Sequence, residues 1–204
     1  MGKSVTALIE RFEEEAASDQ PTELTPDIGI VMGSDSDLRV MEAAHDALTS
    51  AGFVEQTMFH DPPAERFTFE TYVISAHRTP DLMYAYAENA ASRGLDVLIA
   101  GAGGKSADLP NMVASIAFPI PVIGVPVDEK SVDSVIGMPT GAPIVAVDAG
   151  KAYNAALSAI QMLSLKHPEL SKNLTEYHSQ LRDEVGTVSK ELHDTGTNGF
   201  LADR

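Results

Sequence analysis

Residues 28–37 read Ile28-Gly29-Ile30-Val31-Met32-Gly33-Ser34-Asp35-Ser36-Asp37. Ile28 to Met32 is an unbroken run without a polar side chain, as suits a strand buried on both faces. Gly33 to Asp37 then makes a turn. Leu38, Met41, Ala44 and Leu48 follow at helical spacing, and Gly52 closes that helix. Strand, short polar turn and amphipathic helix together form the first half of a parallel β-α-β unit.

The same grammar recurs along the chain. Tyr72-Val73-Ile74 is aromatic and β-branched and reads as a strand. Thr79-Pro80-Asp81 reads as an N-cap, a proline at the first helical position and an acid in the first turn, opening a helix to about Arg93. Asp96–Ala100 predicts a strand, Asn111–Ile116 a short helix, Pro121–Val127 a strand, Ala142–Val147 the last strand and Lys151–Leu165 a helix. Val54–Phe59 is a candidate second strand. His60–Phe69 contains Pro62-Pro63 and reads as an exposed loop. The expected fold is a three-layer α/β/α sandwich on a parallel sheet of about five strands, flavodoxin-like in order, with right-handed crossovers. Neither internal repeats nor low-complexity tracts interrupt it.

Both ends depart from this pattern. Residues 1–26 predict a helical extension and linker. Val5, Leu8, Ile9 and Phe12 fall at i, i+3, i+4 and i+7, and Ser18–Pro26 is polar. Residues 27–165 form the α/β domain. In residues 166–204, Leu170, Leu174, Tyr177, Leu181, Val185, Val188 and Leu192 make one narrow apolar stripe on a long helix, opened by Pro168 and broken near Gly196. Such a stripe suits packing on the same subunit or on another.

Composition narrows the function classes. A chain of 204 residues, 44% apolar, supports one domain with a real core. It has no cysteine, which excludes disulfides, thiolate metal sites and cysteine nucleophiles. Thirty acidic residues against 14 basic give a net charge of −16, so nucleic acid and anionic membrane are poor partners. The acids are spread along the chain. That fits work in high salt, where screening shortens repulsion, and it also fits ordinary solubility. Glu10, Glu13, Glu14 and Glu15 near the start argue against a secretory leader. Ile116–Val127 is too short and too rich in proline to span a bilayer.

Three turns carry chemical potential. Ser75-Ala76-His77-Arg78-Thr79-Pro80 puts a titratable imidazole beside a fixed cation at a strand end, where open α/β sheets bind ligands. A buried His that satisfies backbone groups, beside an Arg paired with a surface acid, would give the same pattern. Gly33–Asp37 opens a helix with two hydroxyls, Ser34 and Ser36, so an anion such as phosphate is a natural ligand. Ser34 and Asp37 also have capping-box spacing, and the two readings are compatible. Gly101-Ala102-Gly103-Gly104-Lys105-Ser106 imitates a P-loop, but position 99 is Ile, so that motif fails. Its glycines still let backbone approach a flat ligand. Ser134–Gly141 is a shaped loop with no titratable group. His45, His60, His167, His178 and His193 lack metal-ligand spacing and read as solvated or packing residues.

Taken in order, these pieces resemble the family of N5-carboxyaminoimidazole ribonucleotide mutase and aminoimidazole ribonucleotide carboxylase. The resemblance rests on Val31–Asp37, Ser75–Pro80, Ala100–Gly104, Gly124–Val127, Asp133-Ser134 through Met138-Pro139, and Asn154–Leu157, together spanning about residues 28–165. It implies an enzyme of purine synthesis that moves a carboxyl group on a ribonucleotide, with the carboxylase that uses CO2 directly as the alternative. A non-enzymatic nucleotide-phosphate sensor on the same fold is the reading of another class. The resemblance further implies that Ser34, Ser36 and Arg78 hold the phosphate, Asp37 takes a ribose hydroxyl, and His77 is the general acid/base. Ser75, the turn with Gly103, Gly104 and Lys105, and the loop with Met138 and Pro139 would complete the substrate site. It implies no metal and no organic cofactor, a cytoplasmic location, and a homo-oligomer of eight subunits. The third loop departs from the family pattern. It is one residue longer, Asp108 stands where the pattern has His, and Asn111 stands where it has Gly. Residues 61–69 look like an insertion and 1–26 like an extension, both expected on the surface.

Overall fold

The computed structural model describes residues 2–202, in two compact units that divide between Leu163 and Ser164. The first is built on one six-stranded parallel sheet with the spatial order β2-β3-β1-β4-β5-β6. The strands are β1 (Ile28–Met32), β2 (Val54–Glu55), β3 (Thr68–Val73), β4 (Val97–Ala102), β5 (Val122–Pro126) and β6 (Val145–Ala146). Without the two-residue edge strand β2, the order is flavodoxin-like. β1 lies at the middle, with Ile30 paired to Thr71 of β3 on one side and to Ile99 of β4 on the other.

Side-chain alternation divides the core between the faces. Val31, Leu98, Ala100 and Val122 point to one face, which carries the cluster formed with α1 (Lys3–Ala16), α3 (Pro80–Asn89), α4 (Leu109–Ile116) and Val135 of α5 (Val132–Ile136). On the other face, Met41 of α2 (Leu38–Ser50) lies so close to Gly101 that a Cβ there would collide with its sulfur. His45 of α2 stacks on Phe69 with ring centroids 5.4 Å apart, and its Nε2 lies 2.9 Å from Thr71 Oγ1, a packing role. α6 (Ala152–Ser164) buries an alanine-rich face.

Two surface expectations are corrected. Phe12 in the N-terminal extension is fully buried, edge-on to Tyr72 and Tyr86, because α1 fills the groove above α3. Residues 67–69 are also buried, and Thr68-Phe69 opens β3 instead of closing a loop. The candidate strand at 54–59 shrinks to two residues; Gln56 N–H makes the last bond to β3, at Phe69 C=O, and its side chain donates to the Leu24 and Phe59 carbonyls.

α1 is also fastened by charge. Arg93 and Glu15 are buried, and Arg93 Nε donates to Glu15 Oε2 at 2.8 Å. The same guanidinium grips both oxygens of Glu70 on β3, at 2.8 and 2.6 Å. Burial opposes the Arg93 charge, but the Glu70 and Glu15 carboxylates outweigh it and hold the guanidinium above its ordinary range. Burial, then the Glu70 charge, pushes the Tyr72 hydroxyl up to about 12.

The second unit contains α7 (Pro168–Ala202), with a break at Gly196, where φ is 69°. Leu181, Val185, Val188 and Leu192 are exposed along it. Among the described residues no helix is long and apolar enough to cross a membrane.

Candidate functional site

Parallel strands deliver all their outgoing turns to one edge of the sheet, and the crossovers diverge on either side of β1. A cleft of about 320 Å³ opens there, within the range of small-molecule sites. It is lined by the turns leaving β1, β3, β4 and β5.

The turn after β1 is held at its base by Gly33 N–H, which donates to Gly101 C=O at 3.0 Å. Ser34 then adopts an extended backbone and caps a single 3-10 turn, Asp35–Asp37. Its Oγ accepts from Ser36 Oγ at 3.1 Å and donates to Asp35 Oδ1 at 3.0 Å. The Asp37 carboxylate is almost fully buried beside the Ser34 backbone N–H, and Ser34 Oγ accepts from Ser36 N–H, so Ser34 caps the turn without the reciprocal Ser34–Asp37 box that the spacing suggested. Burial raises the Asp37 carboxyl above the usual range, against the Ser34 hydrogen bond and the Arg39 charge. Gly103 lies over this carboxylate; a Cβ there would come within 3.3 Å of Asp37 Oδ1 and 3.4 Å of Val127.

The turn after β3 is cross-braced by its own side chains. Ser75 N–H donates to Thr79 Oγ1 at 3.0 Å, and Thr79 Oγ1 donates back to Ser75 C=O at 3.1 Å. Arg78 folds over it, with backbone N–H and Nε both donating to Ser75 Oγ. A terminal nitrogen of Arg78 reaches the Gly33 carbonyl at 3.2 Å, tying the first two turns together. His77 projects between them with its side chain 60% exposed, and its Nε2 lies 2.9 Å from Asp108 Oδ2.

The turn after β4 turns sharply at Gly104, where φ is +81°, a value that favours glycine. Asp108 ends it at the start of α4. Ser134 Oγ donates to Lys105 C=O at 3.0 Å, which binds this turn to the loop carrying Met138 and Pro139.

Ser34, Ser36, Asp37, Ser75, His77 and Gly103 therefore share the lining of one cleft. Arg78 meets it through Gly33 and Ser75. Gly104, Lys105, Met138 and Pro139 lie outside its lining, and Met138 packs against the core cluster. Sequence reasoning missed Arg39, Ser106 and Asp128, which also line it. Arg39 had a usable signal, since it stands within the first turn of the helix that follows Ser34. Among the described residues no group of three or more His, Asp or Glu could hold a metal ion.

The fold and the cleft define a class: a doubly wound, flavodoxin-like α/β protein that receives a small molecule at the carboxyl ends of its strands. Residues 27–184 match the family model described as AIR carboxylase, and the chain belongs to that family. An N5-carboxyaminoimidazole ribonucleotide mutase of Thermotoga maritima is 40% identical over 182 residues, covering 86% of this chain and 97% of the relative. The enzyme of that name from Mycobacterium tuberculosis (strain H37Rv) is 44% identical over 173 residues, covering 82% and 90%. In fold, the crystal structure of Treponema denticola PurE superposes with a TM-score of 0.67 at 22% identity, over 82% of this chain and 98% of that one.

Proposed function

We propose that this protein is an N5-carboxyaminoimidazole ribonucleotide mutase of purine biosynthesis. The observation that carries the reading is the convergence of His77 with Ser34 and Ser36 on one cleft, in a chain whose 40–44% identical relatives bear that name. The hydroxyls of Ser34 and Ser36, the Arg39 side chain in the cleft lining and the Arg78 guanidinium beside it supply the local positive field that a phosphate needs in a protein of net charge −16. Asp37 accepts from a ribose hydroxyl.

In the reaction, the bond from the exocyclic nitrogen to the carboxyl carbon breaks, and its electron pair stays on nitrogen. His77 delivers the proton that nitrogen needs, and CO2 is released into the cleft. The neighbouring ring carbon attacks CO2, forming the new carbon–carbon bond, and His77 recovers the proton that this carbon loses. An imidazole suits both transfers because it exchanges protons near neutrality. Confining CO2 beside its acceptor supplies the entropic advantage.

The second reading is the carboxylase that takes CO2 directly. A relative from Vigna aconitifolia named phosphoribosylaminoimidazole carboxylase is 38% identical over 85% of this chain, though over only 29% of its own length. Assays with each carboxyl donor separate the two. The mutase reading expects turnover of the carboxyamino substrate without added bicarbonate; turnover of the decarboxylated substrate alone, dependent on CO2, overturns it. The apolar row Leu181, Val185, Val188 and Leu192 is the surface we assign to contact with further copies of this chain, in a cytoplasmic homo-octamer.

A further inference from the structure

The departure of the third loop from its family pattern places a carboxylate against the proton carrier. We propose that Asp108 is a positioning residue for His77, keeping the proton on Nε2 so that Nδ1 alone gives and takes the migrating proton. The proposal rests on the catalytic role read above for His77 and deepens it.

Asp108 stands at the N-cap of α4, where an aspartate ordinarily accepts a backbone N–H from the first turn. Here its side chain makes no such bond, although its carbonyl begins the helix by accepting from Met112 N–H at 3.1 Å. The carboxylate turns instead to His77 Nε2, at 2.9 Å. An ionised carboxylate can only accept, so Nε2 must carry hydrogen. Nδ1 makes no hydrogen bond among the described residues. An ion pair with side chains 60% and 43% exposed contributes little to stability, so its use is orientation.

The loop is braced to hold that geometry. Asn111, the second departure from the pattern, donates from Nδ2 to Ser134 C=O at 2.5 Å, and Ser134 Oγ donates to Lys105 C=O. Both contacts anchor the start of α4 on either side of Asp108. The charges around the pair are Asp37, Arg39 and Asp128 in the cleft lining and Arg78 beside it. As an imidazolium–carboxylate pair, His77 and Asp108 present no net charge to an anionic substrate. Nδ1–H of the imidazolium protonates the exocyclic nitrogen as the carbon–nitrogen bond breaks. The neutral ring keeps Nε2–H on Asp108 and accepts the ring-carbon proton at Nδ1. One nitrogen thus serves both transfers without rotation of the ring.

The test compares the wild type with Asp108→Ala and Asp108→Glu. In the wild type, nitrogen-15 NMR is expected to show neutral His77 protonated on Nε2, with that proton slowed in exchange. Asp108→Ala is expected to lose the slow proton and to drop kcat about 10–100-fold, the loss typical when the hydrogen-bond partner that orients a metal-bound histidine is removed, with KM within about twofold. Asp108→Glu should recover much of kcat, and both variants should unfold at the wild-type midpoint. Three outcomes overturn the proposal: a wild-type ring protonated on Nδ1, an unchanged kcat in Asp108→Ala, or equal losses in both variants accompanied by a lowered midpoint. A wild type that turns over neither carboxyl donor defeats the functional reading instead, and the NMR result still decides the pairing.

Discussion

Two charge clusters in this molecule have similar chemistry and opposite uses. Around Arg93, a buried guanidinium and two buried carboxylates meet between α1, α3 and β3, with the half-exposed Arg11 closing the outer side of Glu15. At His77, an imidazole and one carboxylate meet at a similar distance in an open cleft. The difference is solvent. In the dry cluster every charge depends on its partners, because an uncompensated ion there has no water to fall back on. In the wet one either partner can change charge or move at little cost. A fold places the first where elements must stay together and the second where protons must move.

The largest expected effect falls on the wet pair. His77→Asn should lower kcat by about 10²–10⁴-fold, the usual contribution of a general acid/base, while leaving substrate affinity and the unfolding midpoint alone. Steady-state kinetics beside thermal unfolding would show the split. Retained turnover would break the comparison at once, since His77 would then be a surface residue.

The dry cluster should respond in the other currency. Arg93→Ala leaves Glu70 in the core without its cation and Glu15 with the half-exposed Arg11 alone, and is expected to cost about 3–5 kcal/mol of stability in urea unfolding. Arg93→Met keeps the volume but also leaves the Glu70 carboxylate unpaired, so it should recover little. The triple replacement of Arg93, Glu15 and Glu70 by apolar residues should recover most of the loss. The deficit should be nearly the same at 0.1 M and at about 1 M salt, because buried pairs are barely screened. A deficit that vanished in salt would mean that water reaches the cluster.

What the sequence revealed divides along the same line. Local rules made the scaffold legible. The apolar run Ile28–Met32, the Thr79-Pro80-Asp81 cap and the hydroxyl-rich turn after Met32 each announce an element or a turn within a few residues. The Arg93–Glu15 contact joins positions 78 apart. The Val5, Leu8, Ile9, Phe12 row marked an apolar face on α1, but a glutamate on a charged helix looks solvated until tertiary packing covers it, so the burial of Glu15 left no local trace. Thr68-Phe69 was hidden for a related reason: Pro62-Pro63 marks a loop but not where it ends. In the cleft, Ser34, Ser36 and His77 were legible because their turns are short and rigid. The sequence flagged Asp108 only as a departure; its partner lies 31 positions away. Lys105, Met138 and Pro139 were placed with the site by resemblance, and the hydrogen bond of Ser134 to Lys105 instead draws their two loops together outside the cleft lining.

Arg78 probes the boundary between the two kinds of cluster, being exposed yet tied by side-chain bonds to Ser75 and Gly33. Arg78→Ala should raise KM about tenfold through loss of a charged contact to phosphate, with kcat changed less and stability hardly at all. An unchanged KM would refute the phosphate contact. A large stability loss would place Arg78 with the structural charges despite its exposure.

Asp37 provides the finest test, since it belongs to the cleft yet is nearly as buried as the Arg93 cluster. Burial raises its carboxyl in the folded protein above the unfolded value. The folded state therefore holds this proton to a higher pH than the unfolded chain does. Its contribution favours folding at low pH and is lost as pH rises from about 4 through the folded value, leaving an ionised carboxylate that costs stability at neutrality. Asp37→Asn removes that cost and can still accept the Ser34 N–H. The variant should be the more stable of the two at pH 7, by a margin that solvent screening in the cleft keeps small. The gain should fade below about pH 4, where the wild-type group is protonated in both states. The same variant should bind substrate more weakly, because a ribose hydroxyl would lose its charged acceptor. A variant less stable at pH 7 would mean that the carboxylate's hydrogen bonds outweigh its burial, and Asp37 would then belong with Glu70 among the charges that hold the fold.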